Sequence, residues 1–145
     1  MKNKTKQILP IALLLLFILS ITACGHKETI VEEKFPDGSD KVVRTYKVKG
    51  DKKELIFELK YYPNKNKEYE GEYKDDQKHG DWIYWYKNGF VWSEGAFYED
   101  KSDGIRKVYH ENGQLYYEGE YDKGKQVGTW TFYDENGQRI KEETF

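Results

Sequence analysis

A segment of 24 residues, written three times in succession without a gap, constrains this chain more than any other feature. Glu70-Gly71, Glu94-Gly95 and Glu118-Gly119 open successive copies. Tyr73, Phe97, Tyr121 and Phe145 recur at the same spacing, as do Gly80, Gly104 and Gly128. Trp82, Arg106 and Trp130 follow, then Trp85, Tyr109 and Tyr133. A repeat of this length implies a stacked array, because one unit is too small to bury its own apolar side chains and must lean on its neighbour.

Each copy contains an Asn-Gly pair: Asn88-Gly89, Asn112-Gly113 and Asn136-Gly137. Asn-Gly between alternating runs is the strongest short hairpin signal, since a two-residue type I′ turn needs positive φ at both positions. The unit therefore reads as a strand over 80–86, a tight turn, and a return strand over 90–98, with loops at 75–79 and 99–103 joining hairpins. Aromatic residues make up 17% of the chain, 13 of them Tyr, which favours strands over helices. The fold class expected is all-β: a single-layer, curved antiparallel meander of hairpins.

A two-residue turn fixes the register. Trp82 faces Gly95, Lys107 faces Glu118, Trp130 faces Glu143 and Asp134 faces Arg139, and the opposed charges favour this pairing. The bare backbone of Gly95 would lie under the Trp82 indole. Alternation then sorts the side chains. One face, expected to be packed, carries Trp82, Tyr84, Tyr86, Val91, Phe97, Val108, Leu115, Tyr117, Tyr121, Trp130, Phe132 and Phe145. The other, expected to be solvated, carries an aromatic ribbon of Trp85, Trp92, Tyr109, Tyr116 and Tyr133, with Ile140, flanked by acidic residues. Exposed Trp and Tyr offer large rigid area at low entropic cost, so the ribbon is the candidate binding surface.

Upstream, the pattern loosens. A turn at Pro36-Asp37-Gly38, strands over 41–49 and 54–62, and a turn at Pro63-Asn64 give residues 35–69 the form of degenerate N-terminal copies. Terminal units are expected to be atypical, having one neighbour only. Residues 70–145 hold the three clear repeats.

The first 23 residues are an address. Lys2, Lys4 and Lys6 precede an apolar run over 8–21, too short for a spanning helix of ~20 apolar residues and followed by small residues at a boundary, as in a secretory signal. The end of that run, Ile21-Thr22-Ala23-Cys24, resembles the bacterial lipobox. The resemblance implies cleavage before Cys24, the only cysteine of the chain, and acylation of its thiol. A covalent lipid there would place the domain at the cell envelope, outside the cytoplasm and held to a membrane, with residues 24–34 as a charged tether. Several acyl chains would make that attachment stable.

No catalytic constellation emerges. His26, His79 and His110 are scattered through the sequence, so no metal site is expected. Asp134-Glu135-Asn136-Gly137 lacks the twelve-residue calcium-loop pattern and recurs as a turn. There is no nucleophile–base order, no glycine-rich phosphate loop and no CxxC. No cofactor beyond the lipid is expected, and the chain reads as a binder and not an enzyme. Formal net charge is −2, and loss of the three N-terminal lysines would leave about −5, against a nucleic-acid surface.

Glu70-Gly71-Glu72-Tyr73, Lys78-His79-Gly80-Asp81-Trp82 and Tyr86-Lys87-Asn88-Gly89 resemble the MORN repeat. The closer resemblance is to the bacterial variant with Trp after the second glycine and Asn-Gly-Gln closing the hairpin, best seen from Glu118 to Gln138. Proteins of this pattern are commonly grouped as YwqK-type antitoxins. The resemblance implies a meander of hairpins that binds a partner. Three readings follow: an envelope lipoprotein binding another protein through the ribbon, an antitoxin or immunity protein acting at the envelope, and a surface carbohydrate-binding module.

Overall fold

The computed structural model describes residues 25–145. Ten strands follow one another in a single open antiparallel sheet whose spatial order is the chain order. They are β1 (His26–Lys34), β2 (Asp40–Lys49), β3 (Lys52–Tyr61), β4 (Lys67–Lys74) and β5 (Gln77–Trp85), then β6 (Val91–Tyr98), β7 (Lys101–Tyr109), β8 (Leu115–Asp122), β9 (Lys125–Tyr133) and β10 (Arg139–Thr144). The signal and lipidation features at 1–24 lie outside the described residues. The stretch expected as a tether is different: His26–Lys34 is a full strand paired with β2. Its Thr29, Ile30 and Val31 alternate well enough to join the sheet, and its charges suit an edge strand.

The meander is built from five hairpins, β1–β2 to β9–β10, all closed in the same way. The Asn-Gly turns are not two-residue turns. Tyr86 carbonyl accepts from Gly89 N–H at 3.0 Å, and Tyr86 N–H donates to the Phe90 carbonyl at 2.9 Å. That is a three-residue loop in which only Gly89, at φ 94°, is left-handed, a type I turn completed by a glycine bulge. Asn88 supports it, its Oδ1 accepting from Phe90 N–H at 3.0 Å. The same closure occurs at Phe35–Ser39, Tyr62–Asn66, His110–Gln114 and Asp134–Gln138. True two-residue turns with both central residues at positive φ lie instead between hairpins, at Asp75-Asp76, Glu99-Asp100 and Lys123-Gly124.

The extra loop residue shifts the register by one, and a bulge two residues later shifts it back. Trp85 pairs with Val91 but Tyr84 pairs with Ser93, leaving Trp92 unpaired. Tyr116 and Ile140 are the corresponding bulge residues. Beyond the bulge the expected pairs hold: Trp82 with Gly95, Lys107 with Glu118, Trp130 with Glu143. Before it they do not. Arg139 faces Tyr133, not Asp134.

The core lies on one face and is thin. Trp82 and Trp130 are 1% and 2% exposed. Trp82 is ringed by Tyr69, Tyr73, Tyr84 and Phe97 at centroid distances of 5.3–6.0 Å, and Trp130 by Tyr117, Tyr121 and Phe145 at 5.0–5.9 Å. The indole of Trp82 donates to the Glu72 carbonyl at 2.9 Å. It covers Gly71 of the preceding strand and not Gly95: a Cβ on Gly71 would fall 2.1 Å from the ring, and Gly119 stands in the same relation to Trp130. Over Gly95 lies Arg106.

Successive turns are laced together. Asn64, Asn88 and Asn112 each donate from Nδ2 to a carbonyl 23 residues on, in Lys87, Glu111 and Glu135, at 2.6–2.9 Å. Tyr62 and Tyr86 do likewise through their hydroxyls to Trp85 and Tyr109, and His110 Nε2 lies 3.0 Å from the Tyr133 carbonyl. In a sheet with so little buried volume, these rungs fix one hairpin on the next.

Candidate binding surface

The five residues of the sequence ribbon do not share a face. Trp85, Tyr109 and Tyr133 remain together on the face opposite the core. They are half-buried and accompanied by Val91 and Leu115, which the bulges bring directly opposite Trp85 and Tyr109. Trp92 and Tyr116 cross to the core face. The Trp92 ring lies 5.9 Å from Tyr84 and 6.3 Å from Tyr86, and Tyr116 lies 4.8 Å from His110, 5.4 Å from Tyr117 and 6.4 Å from Phe132. Two residues share one partner at a bulge, so the alternation skips a beat and the side chains change sides. Nothing in the sequence pattern distinguishes this arrangement from the slip-free one.

The acidic flanks of the opposite face are already occupied. Tyr109 Oη donates to Glu94 Oε1 at 2.6 Å, and Tyr133 Oη approaches Glu118 Oε1 at 3.4 Å. At the corresponding place beside Trp85, Lys67 bonds Glu70 at 2.7 Å and lies 5.0 Å from the indole centroid. Burial, reinforced by the Glu94 carboxylate, pushes the Tyr109 phenol up to about 12. Glu94 and Glu118 of the Glu-Gly pairs thus strap the next unit's tyrosine, whereas Glu70 holds Lys67 over Trp85. A groove of about 490 Å³ does open on this face, floored by Ile83, Ala96 and Ile105 and edged by Asp81, Glu94 and Lys107.

Apolar side chains are exposed on both faces, Tyr98 and Ile105 on the one opposite the core and the bulge residues on the core face. Trp92 is 46% exposed and Tyr116 40%, and Ile140, in the equivalent bulge, 62%. The first two hairpins carry Lys41 and Glu68 at that position. The bulge therefore accepts a charged side chain, and an aromatic one is not demanded by packing. The other two turn features sit below this row, with Phe90 against Gly113 and His110 against Tyr116. Asn88, Gly89, Asn112, Gly113 and Gly137 lie in three-residue turns, not the two-residue turns expected, with Asn88 and Asn112 also acting as inter-repeat rungs. Asn136 sits in the last turn, where Asp134 supplies the acceptor for the backbone. Among the described residues no group of three His, Cys, Asp or Glu side chains is placed to hold a metal ion.

Residues 102–123 and 126–145 match the MORN repeat variant family. The matched segments coincide with the hairpins β7–β8 and β9–β10, each closed by an Asn-Gly turn, which supports the MORN-repeat reading of this part of the chain. Hairpin β5–β6 has the same register, bulge and turn closure. No curated protein and no solved structure matches the chain significantly.

Proposed function

We propose that the protein is a non-catalytic binding scaffold whose core-facing surface, at the row of bulge residues Trp92, Tyr116 and Ile140, docks another protein. The observation that carries this reading is the contrast between hairpins. The same bulge occurs in all five, is charged in the first two and presents exposed apolar side chains in the last three. Exposed Trp and Tyr held rigid by neighbouring rings are the usual anchors of protein interfaces. Rigidity lowers the ordering cost of binding, and here it comes from the ladder and the inter-turn rungs.

The same reading includes acylation of Cys24 and residence at the cell envelope. The lipobox-like segment supports it. Because β1 starts at His26, an acyl group on Cys24 would hold the sheet edge within about 7 Å of chain from the membrane, at ~3.5 Å per residue. An intact mass beginning at Cys24 and carrying acyl groups is expected, and an unprocessed, unacylated chain would remove the anchoring from the proposal. The antitoxin grouping of similar sequences adds one genetic expectation, a toxin-like gene next to this one.

The decisive comparison is crosslinking and co-purification from native envelopes of the wild type against a Trp92→Ser/Tyr116→Ser double variant and a Trp85→Ser/Tyr133→Ser double variant. Loss of a specific partner with the first pair and retention with the second is expected. Retention by the first pair refutes the surface chosen here. Binding that survives removal of all protein but is competed by glycans would move the function to carbohydrate.

A further inference from the structure

The middle repeat breaks the aromatic row of the core face at three adjoining positions. Where the flanking units have Tyr69 and Tyr117 it has Ser93, and where they have Trp82 and Trp130 it has Arg106. Where they have Tyr84 and Phe132 it has Val108. These are one cluster in space: Ser93 pairs with Val108 across the strands, and Arg106 Nη1 lies 3.4 Å from Ser93 Oγ. The guanidinium is held between two rings, 5.0 Å from the centroid of Phe97 and 5.9 Å from that of Tyr121.

What this cluster lacks is an anion. Nη2 reaches Ser102 Oγ at 3.2 Å, Nε is buried with no acceptor, and among the described residues no carboxylate pairs with Arg106. The fold answers the same problem differently elsewhere on this face. Arg44 binds Glu58 at 2.6 Å, and Glu58, 4% exposed, also accepts from Tyr69 Oη at 2.6 Å. A guanidinium has five N–H donors and no acceptor. At Arg106 two donors meet serine oxygens at long distance and one is shut away, which leaves one on each terminal nitrogen. That pair matches the two oxygens of a carboxylate approached end-on. Rings on both sides lower the local dielectric and strengthen such a contact.

We infer that Arg106, framed by Phe97, Tyr121 and Ser93, is a receptor for a carboxylate side chain of the docked protein, so that the partner is a protein offering a Glu or Asp flanked by apolar residues. This rests on the docking surface proposed above and names the chemistry of its occupant. Phosphate or sulfate would also satisfy the guanidinium charge, but the second cation on this stretch of the face, Lys78, 5.3 Å from the Phe97 centroid, is already bonded to Tyr84 Oη at 2.9 Å, so the two remaining guanidinium donors suit a monoanion.

The test uses the side-chain Nε–Hε resonance of Arg106 in the full-length protein, solubilised in detergent, with an acetylated, amidated Tyr-Glu-Tyr peptide as probe and Tyr-Gln-Tyr as control. The expected result is a saturable shift of the Arg106 resonance with the Glu peptide, at least five-fold weaker with the Gln peptide, accompanied by shifts of the Phe97 and Tyr121 backbone amides that are absent when the same amides are read in Arg106→Trp. Arg106→Trp restores the residue of the flanking repeats, so it is expected to fold, as reported by the Trp fluorescence denaturation midpoint. Arg106→Lys keeps the charge and is expected to retain weak binding. Equal shifts with both peptides, or none with either, overturn the inference. The envelope partner provides the separate readout. If Arg106→Trp captures it as well as wild type while Trp92→Ser/Tyr116→Ser does not, the carboxylate receptor fails and the docking surface stands. If neither variant reduces capture, both fail.

Discussion

Replacing Gly71 by Ala should be far more damaging than the loss of two hydrogens implies. The new Cβ would lie 2.1, 2.2 and 2.5 Å from Cδ2, Cε2 and Cγ of Trp82. Carbon atoms rest at about 3.5–4.0 Å, so the indole must retreat by more than about 1 Å. It has nowhere to go: it is 1% exposed, enclosed by four aromatic rings and tethered to the Glu72 carbonyl at 2.9 Å. Overpacking a core costs about 1–3 kcal/mol, and full loss of a buried Trp about 3–5 kcal/mol. A cost of about 3 kcal/mol is expected. Gly95→Ala is the control. Its Cβ would meet Ile105 O, Arg106 Cα and Arg106 Cβ at 3.2–3.4 Å, which is tight but tolerable. Neither glycine has positive φ, so backbone strain drops out of the comparison, and the stiffening of the unfolded chain is common to both. About 2 kcal/mol should separate the two variants in urea denaturation followed by Trp fluorescence. A double-mutant cycle sharpens the point: in a Trp82→Ala background, Gly71→Ala should cost little more than Gly95→Ala. If the two glycine variants unfold within about 0.5 kcal/mol of each other with Trp82 present, the account of the core is wrong.

Asn88→Ala and Asn112→Ala each remove a turn acceptor and an inter-repeat donor, and should each cost about 1–2 kcal/mol at the ~1 kcal/mol scale of single hydrogen bonds. Asn136→Ala, with no following turn to hold and Asp134 bonding the backbone, should cost under about 0.5 kcal/mol by the same denaturation assay. Tyr109 holds its proton longer when folded than unfolded, so its contribution to stability is complete below pH about 10 and is lost between about 10 and about 12. Ultraviolet titration of Tyr109→Phe should therefore lack one late-ionising phenol, and the alkaline fall of its denaturation midpoint should be shallower. Trp92→Ser and Tyr116→Ser each give up ring contacts at the rim of the core face, worth about 0.5–1.5 kcal/mol a pair, so each should lower stability by about 1–2 kcal/mol while leaving a cooperative unfolding transition. A Val substitution at each site separates the loss of packing from the loss of partner binding.

The repeat length, the all-β class and the pairing of strand centres were legible because they depend on periodicity alone. The turn type was not, because Asn-Gly suits a two-residue turn and equally a three-residue turn with glycine at its left-handed end. The two alternatives differ by one residue in the loop, and the bulge at Trp92 returns that residue, so Trp82 faces Gly95 either way. Charge pairs such as Lys107 with Glu118 confirm strand centres and are blind to what happens at the ends. The face of Trp92 and Tyr116, by contrast, hangs entirely on the bulge. A one-residue slip there reverses them, which is why a ribbon of five read from alternation divides into three residues on one side and two on the other. The start of β1 at His26 was hidden for a different reason, since alternating charges on an edge strand and on a solvated tether read alike.

Repetition itself separates structural residues from functional ones in this fold. Every hairpin has the same turn closure and a bulge beside it, so positions that recur unchanged are answering to the sheet. The Gly71–Trp82 and Gly119–Trp130 pairs recur for that reason. A position whose geometry is repeated while its chemistry changes is under no such obligation. The bulge goes from Glu68 to Trp92, Tyr116 and Ile140 with no change in pairing, and from Lys41 with a second irregularity at Glu32, and the middle unit exchanges an indole for a guanidinium at constant register. In neither place does packing account for the substitution, since a charged bulge and an indole over glycine both fit the same backbone. Both places lie on the core face, and in the third and fourth hairpins they lie side by side along it. A rigid wall of rings with a guanidinium set into it in place of an indole, beside two exposed aromatic side chains, has the composition of a recognition surface and a cost in stability, since a half-buried guanidinium whose Nε has no acceptor and which no carboxylate pairs is unfavourable. Arg106→Trp should consequently raise the denaturation midpoint of the isolated protein while weakening its grip on an acidic ligand, the opposite signs that distinguish a residue kept for binding from one kept for folding.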